Sequence, residues 1–398
     1  MRKRDLSPER QKLLVPGENY PGAWALIPPK TPHRLDGISV GDEMVRAHEA
    51  LDLLAKLSAR LPNPALITRT ADRREAVRSS QIEGTSSDID DLLTYEATGS
   101  DEGMPPDVHV TRNYVVALEY GLEKVRKDGA SAINCDLIKE LHARLMDGVD
   151  DNGTPGQFRT KQNWIGGGTN IYEATYVPPP TKNVQACMDG LETLLTYSPS
   201  EEEQMVLSVI TRMAIVHVQF ESIHPFLDGN GRVGRIMLPL MLAAEGYPPV
   251  YLAGYMKDHQ RDYYDALAGV QLKGKWSDWV RFFARGVESA SQEAIRTGLA
   301  LEEVLEKWNR AVGELGLRSH SVLYRLPELM IATPVLTAHK VKDALDCSFP
   351  SASAALKKME DLGILIRLKK YRRNRVFVAK EIIDILNRPR EEKKHGSN

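Results

Sequence analysis

Twelve residues near the middle of the chain hold most of what could do chemistry: His224-Pro225-Phe226-Leu227-Asp228-Gly229-Asn230-Gly231-Arg232-Val233-Gly234-Arg235. A histidine is the side chain suited to moving a proton near neutral pH. The carboxylate of Asp228 suits a hard cation such as Mg2+, which prefers oxygen ligands. The Gly229-Asn230-Gly231 turn lets an anion approach the backbone, and Arg232 and Arg235 can clamp phosphate. The set points at a phosphorylated ligand. Taken singly, His224 reads as a core histidine and Asp228 as an Asx-turn residue; the joint pattern carries the reading.

Two elements must position these residues. Upstream, Met205, Val209, Ile210, Met213, Val216 and Phe220 recur at helical spacing, and downstream Val233, Ile236, Met237 and Leu240 do the same. The motif is therefore the loop between two buried helices, and its Gly-Asn-Gly-Arg end opens the second, where unpaired N–H groups face an anion.

A second candidate is Ser79-Ser80-Gln81-Ile82-Glu83-Gly84, at the end of a helix expected over about 71–84 with Thr70 as N-cap and Gly84 as C-cap. Ser79 and Glu83 are four apart and share a face. A carboxylate at a helix C-terminus opposes the macrodipole, so Glu83 wants a cationic partner, unless water alone serves it. A third is the glycine cluster Trp164-Ile165-Gly166-Gly167-Gly168 between β-prone runs reaching to Tyr176-Val177-Pro178, read as a hairpin or flap whose edge can take an extended peptide. Tyr263 and Tyr264 can stack on a base, although core packing is the commoner use of helical tyrosines.

The 398 residues suffice for two or three domains. The net charge of −2 hides an asymmetry: from Arg318 onward there are 17 Lys+Arg against 9 Asp+Glu, a net of +8, which leaves −10 before it. Cys135, Cys187 and Cys347 lie far apart without metal-like spacing, which favours reduced thiols in a cytoplasmic protein. The most apolar run, 236–253, is interrupted by prolines and a glutamate, so neither a membrane span nor a signal peptide is expected.

In order, the expected organisation is mostly α. Residues 1–130 form an extended proline-rich arm and a helical region, beginning with a helix from Gly41 to Leu61 ended by Pro62 and Pro64. Residues 131–290 form a helical core carrying the flap and the motif, with a loop bearing Tyr251, Tyr255, Tyr263 and Tyr264. A connecting helix spans 291–315. Residues 316–390 follow the helix–helix–helix–hairpin order of a winged helix, the third helix starting after Pro350 with Ser351 as N-cap. There, Ser353, Lys357 and Lys358 would face DNA and Lys369, Arg372 and Arg373 would grip phosphate from the wing; a protein-binding winged helix with a solvated basic wing is the equal alternative.

The 224–235 motif resembles the signature of Fic-domain proteins, His-x-Phe-x-Asp/Glu-Gly-Asn-Gly-Arg-x-x-Arg, at every fixed position. Ser79-x-x-x-Glu83-Gly84 resembles the inhibitory motif of members that carry an inhibitory helix before the core, and the glycine cluster resembles the family's flap. The resemblance implies AMP transfer from ATP, with Mg2+, to a Ser, Thr or Tyr hydroxyl of a protein target. His224 would be the base and Asp228 the metal ligand. Residues 229–235 would hold the phosphates, and Tyr263, Tyr264 and Gln271 would line the adenine pocket. Ile165–Gly168 and Tyr176–Pro178 would hold the target segment by main-chain pairing. Glu83 would inhibit through Arg235. Self-association and self-modification are also implied. De-AMPylation, another phosphoryl-group transfer, and an ATP-sensing, DNA-binding regulator stay open as alternatives.

Overall fold

A helix that is apolar on every side belongs at the centre of a core. In the computed structural model every residue of Val209–Ile223 except Thr211 is buried. The described residues are 1–35, 37–38, 40–60, 64–149 (backbone alone for 64–69), 153–197, 207–368, 370 and 375–388.

In chain order the elements begin with helix α1 (Pro8–Gln11), strands β1 (Leu14–Pro16) and β2 (Trp24–Leu26), and helices α2 (Gly41–Ser58), α3 (Pro64–Ile82), α4 (Ile89–Thr98) and α5 (Val108–Asp128). There follow α6 (Cys135–Leu145), α7 (Thr181–Leu195), α8 (Val209–Ile223), α9 (Asn230–Ala244), α10 (Ala253–Asp258), α11 (Gln260–Lys273) and the long α12 (Trp276–Gly313). The last part holds α13 (Leu326–Ala332), β3 (Val335–Thr337), α14 (Ala338–Leu345), α15 (Phe349–Asp361), β4 (Ile366–Leu368), β5 (Val376–Val378) and α16 (Lys380–Leu386).

These elements form two compact units that are discontinuous in sequence, whereas the sequence reading divides the chain into successive segments. The first comprises Met1–Ala55, Arg78–Gly84 and Asn113–Ser291, the second Lys56–Val77, Thr85–Arg112 and Gln292–Asn398. In the first unit α7, α9 and α11 pack around α8. Trp279 on α12 is fully buried, and its indole N–H donates to the Ala214 carbonyl at 2.8 Å. α5 approaches α9 so closely that a Cβ on Gly121 would come within 2.7 Å of a Leu240 methyl carbon.

The N-terminal segment is not merely extended: β1 and β2 pair antiparallel with Leu14 opposite Leu26. Strands of three residues are too short to show a period-2 pattern. Leu26 N–H then donates to the Val177 carbonyl at 2.9 Å, and Tyr20 packs edge-on to Trp164 with ring centres 5.5 Å apart, so this hairpin lies against the flap.

Three further expectations are corrected. α3 begins at Pro64, so Thr70 lies inside the helix and is buried rather than capping it; proline at the first helical position is the start signal that decided. Tyr255 lies on α10, and Tyr263 and Tyr264 on α11, not in a loop. The flap contains no regular hairpin but one antiparallel bridge, Ile165 with Tyr176, around a 3-10 turn at Ile171–Glu173. α2 ends at Ser58; Leu61 and Pro62 lie outside the described residues, as does Met205.

In the second unit, α4 opens with a reciprocal Asp88–Asp91 capping box, and Arg73 and Arg112 both pair with Glu96. β3, β5 and β4 form an antiparallel sheet in that order, with Val335 and Ile366 both opposite Val378. Thr337 caps α14, and Ser348 rather than Ser351 caps α15, accepting from the Ser351 N–H with Pro350 in the first turn. Lys369, Arg372 and Arg373, which follow β4 in the chain, lie outside the described residues.

Candidate active site

α8 ends at His224, whose backbone is left-handed (φ 48°, ψ 60°). Such a conformation costs a non-glycine residue about 1 kcal/mol or more and persists only where surroundings enforce it. Here the His224 carbonyl accepts from Arg159 Nε at 2.9 Å and Asn163 Nδ2 at 3.3 Å. Arg159 is buried, and its guanidinium also reaches the carbonyls of Pro179 at 2.5 Å and Lys161 at 3.3 Å. Burial pushes its pKa down to about 10. Sequence reasoning missed this residue, which ties the His224 turn to the chain leaving the flap.

Phe226 is fully buried, its ring stacked on His142 with centres 3.8 Å apart. Asn230 accepts from the Phe226 N–H at 2.9 Å and donates to its carbonyl at 2.9 Å. That side-chain clamp closes the loop at the start of α9. Gly229, at φ 76°, is the N-cap of α9.

The Asp228 carboxylate accepts from Gly229 N–H at 2.6 Å and pairs with Arg232 at 3.1 Å, yet its side chain remains 59% exposed. One carboxylate that water can reach is what Mg2+ asks of a protein when phosphates supply further ligands. No group of three or more metal-ligating side chains occurs among the described residues, so a metal here would depend on the nucleotide. Arg232 itself is buried, its Nε without a partner. Val233 is buried as well, and Gly234 lets α9 lie against His217 and Glu221 of α8.

Arg235 is 1% exposed and is held from the end of α3. Its Nε donates to Ser79 Oγ at 2.8 Å, and one terminal nitrogen donates to the Ser79 carbonyl at 3.1 Å and to Glu83 Oε1 at 2.6 Å. Burial alone would lower the arginine's pKa, but Glu83 beside it drives it up instead, so the charge is secure. Glu83 Oε1 also sits over the start of α9: a Cβ on Gly231 would collide with it. α3 ends at Ile82, and Gly84 (φ 95°) turns the chain away. A carboxylate thus occupies an anion site built from a helix N-terminus and a buried arginine.

Tyr263 is buried, its hydroxyl 2.9 Å from His217 Nε2; Tyr264 is 44% exposed beside it, ring centres 5.0 Å apart. Gln271 is buried and lines a cavity with Arg10, Pro29, Tyr176, Gln219 and Ser222. In the flap, the N–H of Ile165 donates to the Tyr176 carbonyl at 2.8 Å, and Trp164 Nε1 donates to the Gly168 carbonyl at 2.9 Å. Gly166 to Gly168 are all left-handed, and at Gly167 a Cβ would lie 2.6 Å from the Glu173 backbone, so only glycine fits.

The structure also brings in Glu221, which sequence reasoning did not single out. It is buried, with Oε2 at 3.6 Å from His224 Nδ1. Burial would raise its pKa, but His224, His217 and Arg235 together outweigh that and hold it below the usual carboxylate value. Its i−3 position before His224 was the available signal.

A helical fold with a histidine-ended helix, a glycine-capped helix start and two buried arginines supplies the donors that a phosphate would need. Residues 42–123 match the model described as Fic/DOC family N-terminal, and residues 132–242 match that described as Fic/DOC family. The chain thus carries a Fic/DOC N-terminal region followed by a Fic/DOC domain. It is 33% identical over 147 residues to the protein adenylyltransferase Fic of Aedes aegypti, a match covering 37% of this chain and 26% of that relative. To the protein adenylyltransferase fic-1 of Caenorhabditis elegans it is 32% identical over 163 residues, covering 41% and 29% respectively. The match thus spans roughly a quarter to a third of these curated relatives. A crystal structure of a Fic family protein from Desulfovibrio desulfuricans shares the fold, with a TM-score of 0.50 at 20% identity over 87% of this chain and 98% of that one.

Proposed function

We propose that this chain transfers AMP from ATP to a hydroxyl of a protein target, releasing pyrophosphate, and that Glu83 holds it inactive. The observation that carries the reading is Glu83 bound to Arg235 over Gly231, where a phosphate would otherwise lie. A side-chain anion at that point competes with the nucleotide for the same donors.

His224 takes the hydroxyl proton as the oxygen attacks the α-phosphorus and the bond to pyrophosphate breaks. The N–H groups opening α9 hold the charge that develops on the phosphate oxygens. Arg232 and Arg235 orient the outer phosphates, and Asp228 would hold Mg2+, which would neutralise phosphate charge when bound. Tyr264, exposed on α11, offers a face to the adenine, and in the flap Gly166 to Gly168 offer backbone N–H groups to the target segment, while Ile165, paired through both backbone groups with Thr175 and Tyr176, anchors them. The adenylyltransferase names of the relatives support this chemistry.

The test is Glu83→Gly incubated with candidate target protein and ATP labelled at the α- or the γ-phosphate. Label from the α position alone, rising above the parent, is expected; label from the γ position would make the transfer a phosphorylation, and no rise would remove Glu83 as inhibitor. His224→Ala should cut transfer to a small residual rate and keep ATP binding.

We read α13 to α16 with β3 to β5 as a winged helix. Its charge supports contact with nucleic acid, but Lys357 on α15 is paired with Glu360 at 3.1 Å and Asp361 at 2.8 Å, which leaves Lys358 and Ser353 as the helix's contacts. Binding of the full chain to labelled duplex DNA at two salt concentrations tests it, since phosphate contacts weaken steeply with salt. The three unpaired thiols support a reducing, cytoplasmic setting. No helix among the described residues is long and apolar enough to cross a membrane.

A further inference from the structure

We infer that Glu221 is a positioning residue for His224: its carboxylate addresses Nδ1 of the imidazole and leaves Nε2 as the nitrogen that takes the proton from the target hydroxyl. The inference rests on the reading of His224 as the base.

His217 and Glu221 stand at i and i+4 of α8, on one stripe of the helix, and His224 is its left-handed C-cap three residues past Glu221. Each carries one buried atom without a hydrogen-bond partner: Nδ1 of His217, Oε1 of Glu221 and Nδ1 of His224. A buried carboxylate is expensive unless charge or hydrogen bonds compensate it. The groups facing it are few. From α8 and its C-cap come the two histidines, from α9 comes Arg235, and from α11 come Tyr263 and Tyr264. Arg235 is already engaged by Glu83 and Ser79. His217 is fully buried, held neutral by burial with its pKa near 4, and its Nε2 is taken by Tyr263. His224 Nδ1, 3.6 Å from Oε2, belongs to the neighbouring imidazole that gains a proton in the proposed reaction. Gly234 keeps α9 clear of the stripe, since a Cβ there would stand 3.1 Å from Glu221 Oε1 and 3.3 Å from the His217 ring.

The arrangement matters most when His224 becomes charged. As the hydroxyl oxygen bonds to the α-phosphorus, its proton passes to Nε2 and pyrophosphate leaves with the electrons of the broken P–O bond. The Nδ1–H then faces an ionised carboxylate, which stays ionised throughout. An attraction that grows only as the imidazolium forms stabilises the transition state without tightening substrate binding. The left-handed turn, fixed by Arg159 and Asn163, holds the ring over that carboxylate.

The experiment is a double-mutant cycle in the Glu83→Gly background, with transfer of α-labelled AMP as readout. Glu221→Gln should lower kcat about 10- to 100-fold, the range seen when a carboxylate that orients a metal-bound histidine is lost, with KM for ATP within about twofold. Added to His224→Ala it should cause no further loss. Glu221→Asp keeps the charge and should lose less, and it carries the test if the glutamine variant does not fold. A kcat unchanged by Glu221→Gln, or an equal fold-loss with and without His224, overturns the inference. Transfer by His224→Ala as fast as by Glu83→Gly alone would instead overturn the reading of His224 as base, a separable result.

Discussion

Glu83→Gln removes the charge that faces Arg235 and keeps the shape. Breaking a buried ion pair by removing one partner costs about 3–5 kcal/mol, because the other charge is left uncompensated. Arg235 is 1% exposed, but Glu83 is 38% exposed, so water and the amide oxygen recover part of the loss. Ser79 still accepts two of the arginine's hydrogen bonds. We expect destabilisation of about 1–3 kcal/mol, which lowers Tm by about 2–10 °C for a unit of this size. Thermal melts without nucleotide measure that loss. Melts with saturating Mg-ATP should narrow the gap, because phosphate replaces the missing anion in the variant but competes with Glu83 in the parent. The reasoning is refuted if the variant melts with the parent, or if ATP raises both melting temperatures equally.

Further outcomes follow from the same geometry. Arg159→Ala should cost about 3 kcal/mol or more and abolish transfer, since it strips charged hydrogen bonds from the carbonyls of His224 and Pro179; urea unfolding and α-label transfer read the two effects. Asn230→Ala leaves the buried Phe226 N–H without its acceptor and should cost about 1–3 kcal/mol, read by urea unfolding. His217 has a folded pKa near 4, below its ordinary 6.5, so the unfolded chain binds the proton first as pH falls. Its contribution to stability is therefore full above about pH 6.5 and is lost toward pH 4, at no more than about 1.4 kcal/mol per pH unit. Unfolding at pH 7 and pH 5 should show that slope, and His217→Phe should flatten it.

Much of this site was legible in the chain because it is local. Residues 224–235 are consecutive, so helix periodicity on either side and the glycine turn between suffice to place an anion at the start of α9. Glu83 could be suspected because a carboxylate at a helix end is poorly placed by its own helix and wants a partner elsewhere. Nothing in the chain's local pattern states that the partner is Arg235; the packing of α3's last turn against α9 decides that, bringing two residues 152 apart into a 2.6 Å contact. Arg159 is similar: an arginine in a glycine-rich stretch reads as surface, and only burial among backbone carbonyls makes it the brace of the His224 turn. Glu221 lies between apolar neighbours on a helix that looks like core, and its role depends on the ring of His224 turning back over it. The sequence determined which groups can carry charge and protons. The tertiary structure decided which of them meet, because a buried charge takes the partner that packing brings within reach.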